Sequence, residues 1–238
     1  MDEDEGQLEV SRRDALKVAA GAGVGVALGP LAGQASGRPH PTRSPGRRRR
    51  PRRRPQTIML VRHGEKPDGP GPPFGVLPSG EQDLESLSIR GWTRAGALIG
   101  LFGAAPGKPR HGVLRPTALF ASDPEGTGSK RPLQTISPLA ERLGKTVTLM
   151  DIDDKDADAA AIAQAMMATP GAPLGSWQHR LLPPIAHHLG EVHPAVPKKW
   201  PDDRYALAWV FTRRGDGSWR FRQVPQLLLA GDAGSIIT

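Results

Sequence analysis

Residues 57–67 read "TIMLVRHGEKP". Thr57 to Val61 are apolar or β-branched and five residues long, which reads as a short buried strand. The strand then runs into Arg62-His63-Gly64-Glu65. A chain that only had to leave the core would end in Gly, Asn or Asp. Here it ends in a fixed positive charge beside a titratable imidazole. In open α/β sheets, reactive groups gather at the C-terminal ends of the strands. The stretch therefore predicts both a sheet and a site at its rim.

Strand-like and helix-like segments alternate onward from Gln56. Residues 87–102 have helical spacing of Trp92, Ala95, Leu98, Ile99 and Phe102, with Ser88 as a cap. Residues 117–122 read as a strand. Residues 132–144 read as a helix with Pro132 near its start, Gly144 as its stop, and a break or kink expected at Pro138. A strand at 146–150, an alanine-rich helix at 156–168 and a weaker strand at 172–178, interrupted by Gly175, follow. Residues 205–212 and 218–224 flank an Asp-Gly turn and predict a hairpin. The alternation predicts a three-layer α/β/α sandwich whose mainly parallel sheet carries an antiparallel hairpin at one edge. Three strand ends then deliver Arg62, His63, Arg131 (on a loop) and His179 to one rim.

Charge divides the chain. Its 238 residues hold 32 Lys/Arg and 24 Asp/Glu, but 12 and 6 of these fall in residues 1–55. The body is close to neutral, so no specific nucleic-acid surface is expected. There are no cysteines, which excludes disulfides, thiolate metal sites and a cysteine nucleophile. Residues 1–35 contain "SRRDALK" (11–17), then a Gly/Ala run (18–35) closing on small residues. This order resembles a Tat-type signal cleaved after Ala35, with Ala15 where such signals usually carry Phe. It predicts export across a bacterial inner membrane to the periplasm or beyond. The run is too short and glycine-rich for a membrane span. Residues 36–55 are rich in Arg and Pro, and read as a disordered linker with, at most, weak contact to anionic surfaces. Residues 56–238 form the folded domain.

Two arginines and two histidines on one rim suit a phosphoryl group. Guanidinium matches phosphate oxygens in pairs and stays charged. A neutral imidazole can hold a phosphoryl group covalently, and a protonated one can stabilise the transition state. No metal or cofactor is required for this chemistry.

"LVRHGEKP" (60–67) resembles the signature of the histidine phosphatase superfamily, which includes the phosphoglycerate mutases. "ALFASDPEGTGSKRPLQTISPLA" (118–140) is similar to its second block, with Arg131 three residues before Gln134-Thr135. "LSIRGWTRAGAL" (87–98) resembles the helix between them, and "WQHRLLPPIAHHLG" (177–190) the block with the second histidine. The last segments resemble a small bacterial branch, and the resemblance covers residues 56 to about 232. It implies a phosphoglycerate mutase-like fold and a metal-independent phosphatase acting on a small phosphorylated substrate. His63 is then the phosphorylated nucleophile, Arg62 and Arg131 bind the phosphoryl oxygens, and His179 completes the pocket. A mutase-type phosphotransferase and a non-catalytic anion binder are the alternatives. Glu65, Asp151 and Asp153 are candidate proton donors, with no choice among them. The histidines at 187, 188 and 193 lack a carboxylate motif, and no metal site is expected there.

Overall fold

A computed structural model describes residues 56–69, 71–104, 112–152 and 156–238. The signal and linker expected over residues 1–55, and Asp153, lie outside the described residues.

The first strand, β1 (Thr57–Arg62), is buried along its whole length. Its side chains alternate between two cores, as a period of two requires. Ile58 and Leu60 enter one core, and Met59 and Val61 the other. Each apolar side chain so buried contributes roughly 1.5–3 kcal/mol. Helix α1 (Ile89–Phe102) follows, with the Ser88 hydroxyl accepting from the Gly91 N–H as the predicted cap. Next come β2 (Ala118–Ser122) and a four-residue helix, α2 (Pro124–Thr127), absent from the sequence reading. Asp123 caps α2 and Gly128 ends it at φ 70°. Helix α3 (Arg131–Leu143) then runs to a left-handed Gly144.

Pro138 does not break α3. Ile136, Leu139 and Ala140 on either side of it are buried in the second core, and that packing outweighs the local proline penalty of about 3 kcal/mol. The remaining elements are β3 (Val147–Met150), α4 (Asp156–Ala168), β4 (Pro173–Trp177), α5 (Leu182–His187), β5 (Val192–His193), β6 (Leu207–Arg213) and β7 (Trp219–Pro225).

The sheet order is β3-β2-β4-β1-β6-β7-β5. β3, β2, β4 and β1 are parallel neighbours. β6 joins β1 antiparallel and forms the hairpin with β7, and the two-residue β5 flanks that hairpin. Residues of α4 and α5 fill the core on one face, and residues of α1 and α3 the core on the other. This is the expected three-layer α/β/α arrangement. β4 is fully buried between β1 and β2. Its Gly175 has a packing reason: a Cβ there would lie 2.4 Å from the Trp177 indole nitrogen. Because β1, β2 and β4 are parallel neighbours, their C-terminal ends share one rim.

Candidate active site

Arg62 is the last residue of β1, paired with Trp177 of β4, and is 1% exposed. Its Nη1 donates to the carbonyls of Pro201 (3.2 Å), Asp202 and Arg204 (3.4 Å). Its guanidinium lies over the Tyr205 ring, 3.9 Å from the centroid. Burial lowers its pKa from the ordinary arginine value, an effect Tyr205 and Asp202 oppose. Nε and Nη2 are buried with no hydrogen-bond partner among the described residues. Buried donors are rarely left unsatisfied, because each such group costs about 1–3 kcal/mol. Two open donors on one cationic fork suit the oxygens of an anion.

His63 continues the β1–β4 ladder, its N–H donating to the Trp177 carbonyl at 3.0 Å. Its Nδ1 is 2.7 Å from the Gly64 carbonyl oxygen. A carbonyl only accepts, so Nδ1 carries the hydrogen and Nε2 carries the lone pair. Burial, with the charges of Arg62 and Arg131 and the His179 ring, lowers the imidazole pKa to about 3. The ring is therefore neutral at ordinary pH.

Gly64 donates its N–H to Thr135 Oγ1 (2.7 Å), and that hydroxyl donates to the Arg131 carbonyl (2.7 Å). The turn after His63 is thus tied to the first turn of α3. It also presses on α1: a Cβ on Gly91 would lie 2.4 Å from the Glu65 carbonyl oxygen.

Arg131 is the first residue of α3, not a loop residue. Its Nη2 donates to the Leu84 carbonyl (2.6 Å) and the Glu85 carboxylate (3.0 Å), and Nη1 to Ser129 Oγ (3.3 Å). Its Nε is buried without a partner among the described residues. Lys130, beside it, pairs instead with Asp83 at 2.7 Å. That contact and the Ser86 hydroxyl hold the Asp83 carboxyl at about 2.

His179 opens a 3-10 turn just past β4. Its Nε2 is 2.7 Å from Asp202 Oδ1. Even so, its pKa is lowered, first by burial and then by Arg62. The Asp202 side chain is 86% exposed, so water weakens the pull of its carboxylate. His63, Arg62, Arg131 and His179 thus share one electrostatic neighbourhood, since the other three all act on His63. A cleft of about 690 Å³ adjoins it, lined in part by Glu65, Lys66, Asp202, Asp203 and Tyr205.

No family model and no curated protein matches the chain. Among solved structures it is similar to a mycobacterial glucosyl-3-phosphoglycerate phosphatase, at 15% identity over 73% of this chain and 99% of that one, with a TM-score of 0.46. It is also similar to a phosphoserine phosphatase from Entamoeba histolytica, at 12% identity over 73% and 99%, TM-score 0.47. A third is YhfR of Bacillus stearothermophilus, at 13% over 69% and 94%, TM-score 0.45.

The candidate proton donors separate in space. The Glu65 carboxylate accepts from Arg90 (3.1 Å) and from Arg94 at 2.7–3.2 Å, which leaves it acting as an acceptor. Asp151 is exposed just beyond β3, its Oδ1 1.9 Å from where a Cβ on Gly126 would stand. Of the histidine trio, His188 pairs with Asp156 and His193 with Glu191. Among the described residues, no group of three or more His, Cys, Asp or Glu side chains is placed to hold a metal ion.

The sequence reading missed Asp202, Tyr205, Arg94 and Asp232. Asp202 lies in "KKWPDDR" (198–204), a segment with no periodicity before β6, and Tyr205 opens the run 205–212 that reads as a strand. Arg94 did carry a signal: it falls on the buried stripe Gly91-Ala95-Leu98-Leu101-Phe102 of α1.

Proposed function

We propose that the chain is a metal-independent phosphatase of the histidine phosphatase superfamily, hydrolysing a small phosphomonoester through a phosphohistidine on His63. One observation carries the reading. A buried neutral imidazole presents a bare Nε2 while its Nδ1–H is held by the Gly64 carbonyl, next to an arginine with two unpartnered buried donors. The quoted motifs support it independently, because the residues they single out share this rim.

In the first half-reaction, the His63 Nε2 lone pair attacks phosphorus and an N–P bond forms. The ester P–O bond breaks, and the leaving alkoxide takes a proton from solvent water. The Nδ1–H bond to the Gly64 carbonyl lets the ring carry the positive charge that develops as Nε2 is phosphorylated. Arg62 Nε and Nη2 and Arg131 Nε meet the equatorial oxygens, where charge grows in the transition state. In the free protein, burial and Arg62 lower the His179 pKa. A bound phosphate dianion favours its protonated form, which then adds a third cationic donor. In the second half-reaction, water attacks phosphorus and gives up a proton to solvent, the N–P bond breaks, inorganic phosphate leaves and His63 is restored.

The twin-arginine pattern of residues 11–17 supports export of this activity across the bacterial inner membrane. The test is a panel of phosphomonoesters given to the full chain with no added metal and with EDTA. Phosphate release unaffected by EDTA and abolished in His63→Ala is the expected result. Transfer of phosphate within the substrate without release indicates a mutase. Binding of inorganic phosphate without turnover indicates an anion binder.

A further inference from the structure

Arg94 lies in the middle of α1, on its apolar stripe, and is 1% exposed. Every arm of its guanidinium is engaged. Nε donates to both Glu65 oxygens (3.2 and 3.0 Å), and Nη2 to Glu65 Oε1 and Asp232 Oδ1 (2.7 Å each). Nη1 donates to Gln226 Oε1 and Asp232 Oδ2 (3.1 Å each). Asp232 Oδ2 also accepts the N–H groups of Leu228 (2.8 Å) and Leu229 (3.0 Å). Burial raises the Asp232 carboxyl, but Arg94 and these N–H groups outweigh it and hold it at about 2. Gln226 Nε2 donates to the Leu207 carbonyl (3.0 Å). One arginine thus joins the turn after His63, α1, the segment 226–232 and the start of β6.

Stability alone does not account for a buried ionic triad. Well-packed apolar residues of similar volume are often as stable or more so. The second consequence of the triad is geometric. The carbonyl that holds His63 Nδ1 belongs to the Gly64–Glu65 peptide, which is planar. Its direction is set by where Glu65 sits. Glu65 is fixed at its backbone by the Ser88 N–H (3.0 Å) and hydroxyl (3.1 Å), and at its carboxylate by Arg94.

We propose that Arg94 is a positioning residue for His63: through Glu65 it fixes the Gly64–Glu65 peptide that selects the Nδ1–H tautomer and aims Nε2, and Asp232 holds Arg94 in place. The proposal rests on His63 being the nucleophile. Neither Arg94 nor Asp232 needs to touch the phosphoryl group.

The test uses Arg94→Lys and Asp232→Asn in the full chain. Lysine keeps the charge but cannot span two carboxylates with one fork. Asparagine keeps an acceptor for Leu228 and Leu229 but loses the charge facing Arg94. Three quantities are read: kcat on p-nitrophenyl phosphate, the inhibition constant of inorganic phosphate, and the ¹⁵N spectrum of the His63 ring. In Arg94→Lys, kcat is expected to fall ten- to a hundredfold, phosphate inhibition to move less than threefold, and the ring to become a mixture of tautomers. Asp232→Asn shifts the same quantities in the same direction, with kcat down about three- to tenfold. A lower melting temperature with unchanged kcat and ring spectrum overturns the proposal. If Arg94→Lys does not fold, Asp232→Asn decides by the same criteria. If the parent turns over no phosphomonoester, the functional reading fails. The ring spectrum then decides the positioning role alone: a tautomer mixture upholds it and an unchanged spectrum overturns it.

Discussion

Replacing Arg62 by lysine separates charge from geometry at the rim. Arg62 does two jobs with one fork. Nη1 serves the carbonyls of Pro201, Asp202 and Arg204, while Nε and Nη2 stay open. A lysine ammonium is a single point with three donors. Turned to the carbonyls, it leaves the phosphoryl oxygens without two donors. Turned to the phosphoryl group, it leaves buried carbonyls unpaired at about 1–3 kcal/mol. Losing one transition-state donor costs roughly 2.7–4 kcal/mol, and the retained charge recovers part of the loss of two. The expected net is about 3–4 kcal/mol, a fall of roughly 10²–10³-fold in kcat/KM. Arg131→Lys gives a smaller fall, because its Nη atoms are committed to Ser129, Leu84 and Glu85 and only Nε is open. The assay is steady-state kinetics on one phosphomonoester, with thermal melts to show that each variant is folded. An Arg62→Lys loss below tenfold, or a larger loss in Arg131→Lys, refutes the assignment of the open donors.

Three further expectations follow from particular contacts. The folded His63 pKa of about 3 lies below the unfolded value, so the unfolded chain takes up the proton first as pH falls. Stability from this group is full above about 6.5 and lost on descent toward 3; melts should show a steeper fall between pH 7 and 4 in the parent than in His63→Gln, and equal slopes would contradict the buried neutral ring. Gly91→Ala gains about 1 kcal/mol of helix propensity but drives a Cβ to 2.4 Å from the Glu65 carbonyl oxygen. Overpacking of about 1–3 kcal/mol should win and lower both the melting temperature and kcat. Changing Arg12 and Arg13 to lysine should retain the protein in the cytoplasm, as fractionation of expressing cells would show; normal export would mean that the arginine pair is not read as an address.

Much of this architecture was written in local pattern. The run 57–61 is buried on both faces and became the strand that carries Arg62. Ser88, Gly144 and the Asp-Gly turn of the hairpin acted as their chemistry dictates. Three features resisted reading because tertiary contacts decide them. Gly175 weakened the case for β4, yet the glycine is there to admit the Trp177 indole. Pro138 suggested a break or kink, yet α3 runs on without a break through its buried neighbours. Asp202 and Tyr205 reach the site by a path of more than a hundred residues from Arg62, which no periodicity encodes. Two further signals are legible in the sequence. Asp123-Pro124 followed by Gly128 is a capped short helix, and Arg94 is a charge on an apolar stripe, which calls for a buried partner.

The most direct measurement of the central claim is rapid acid-free quenching of the full chain during turnover of a ³²P-labelled phosphomonoester, followed by mapping of the label. The expected result is a phosphoenzyme that is stable in alkali and labile in acid, with the label on His63 and none in His63→Ala. Phosphate release with no labelled intermediate, or label on any residue other than His63, would contradict it.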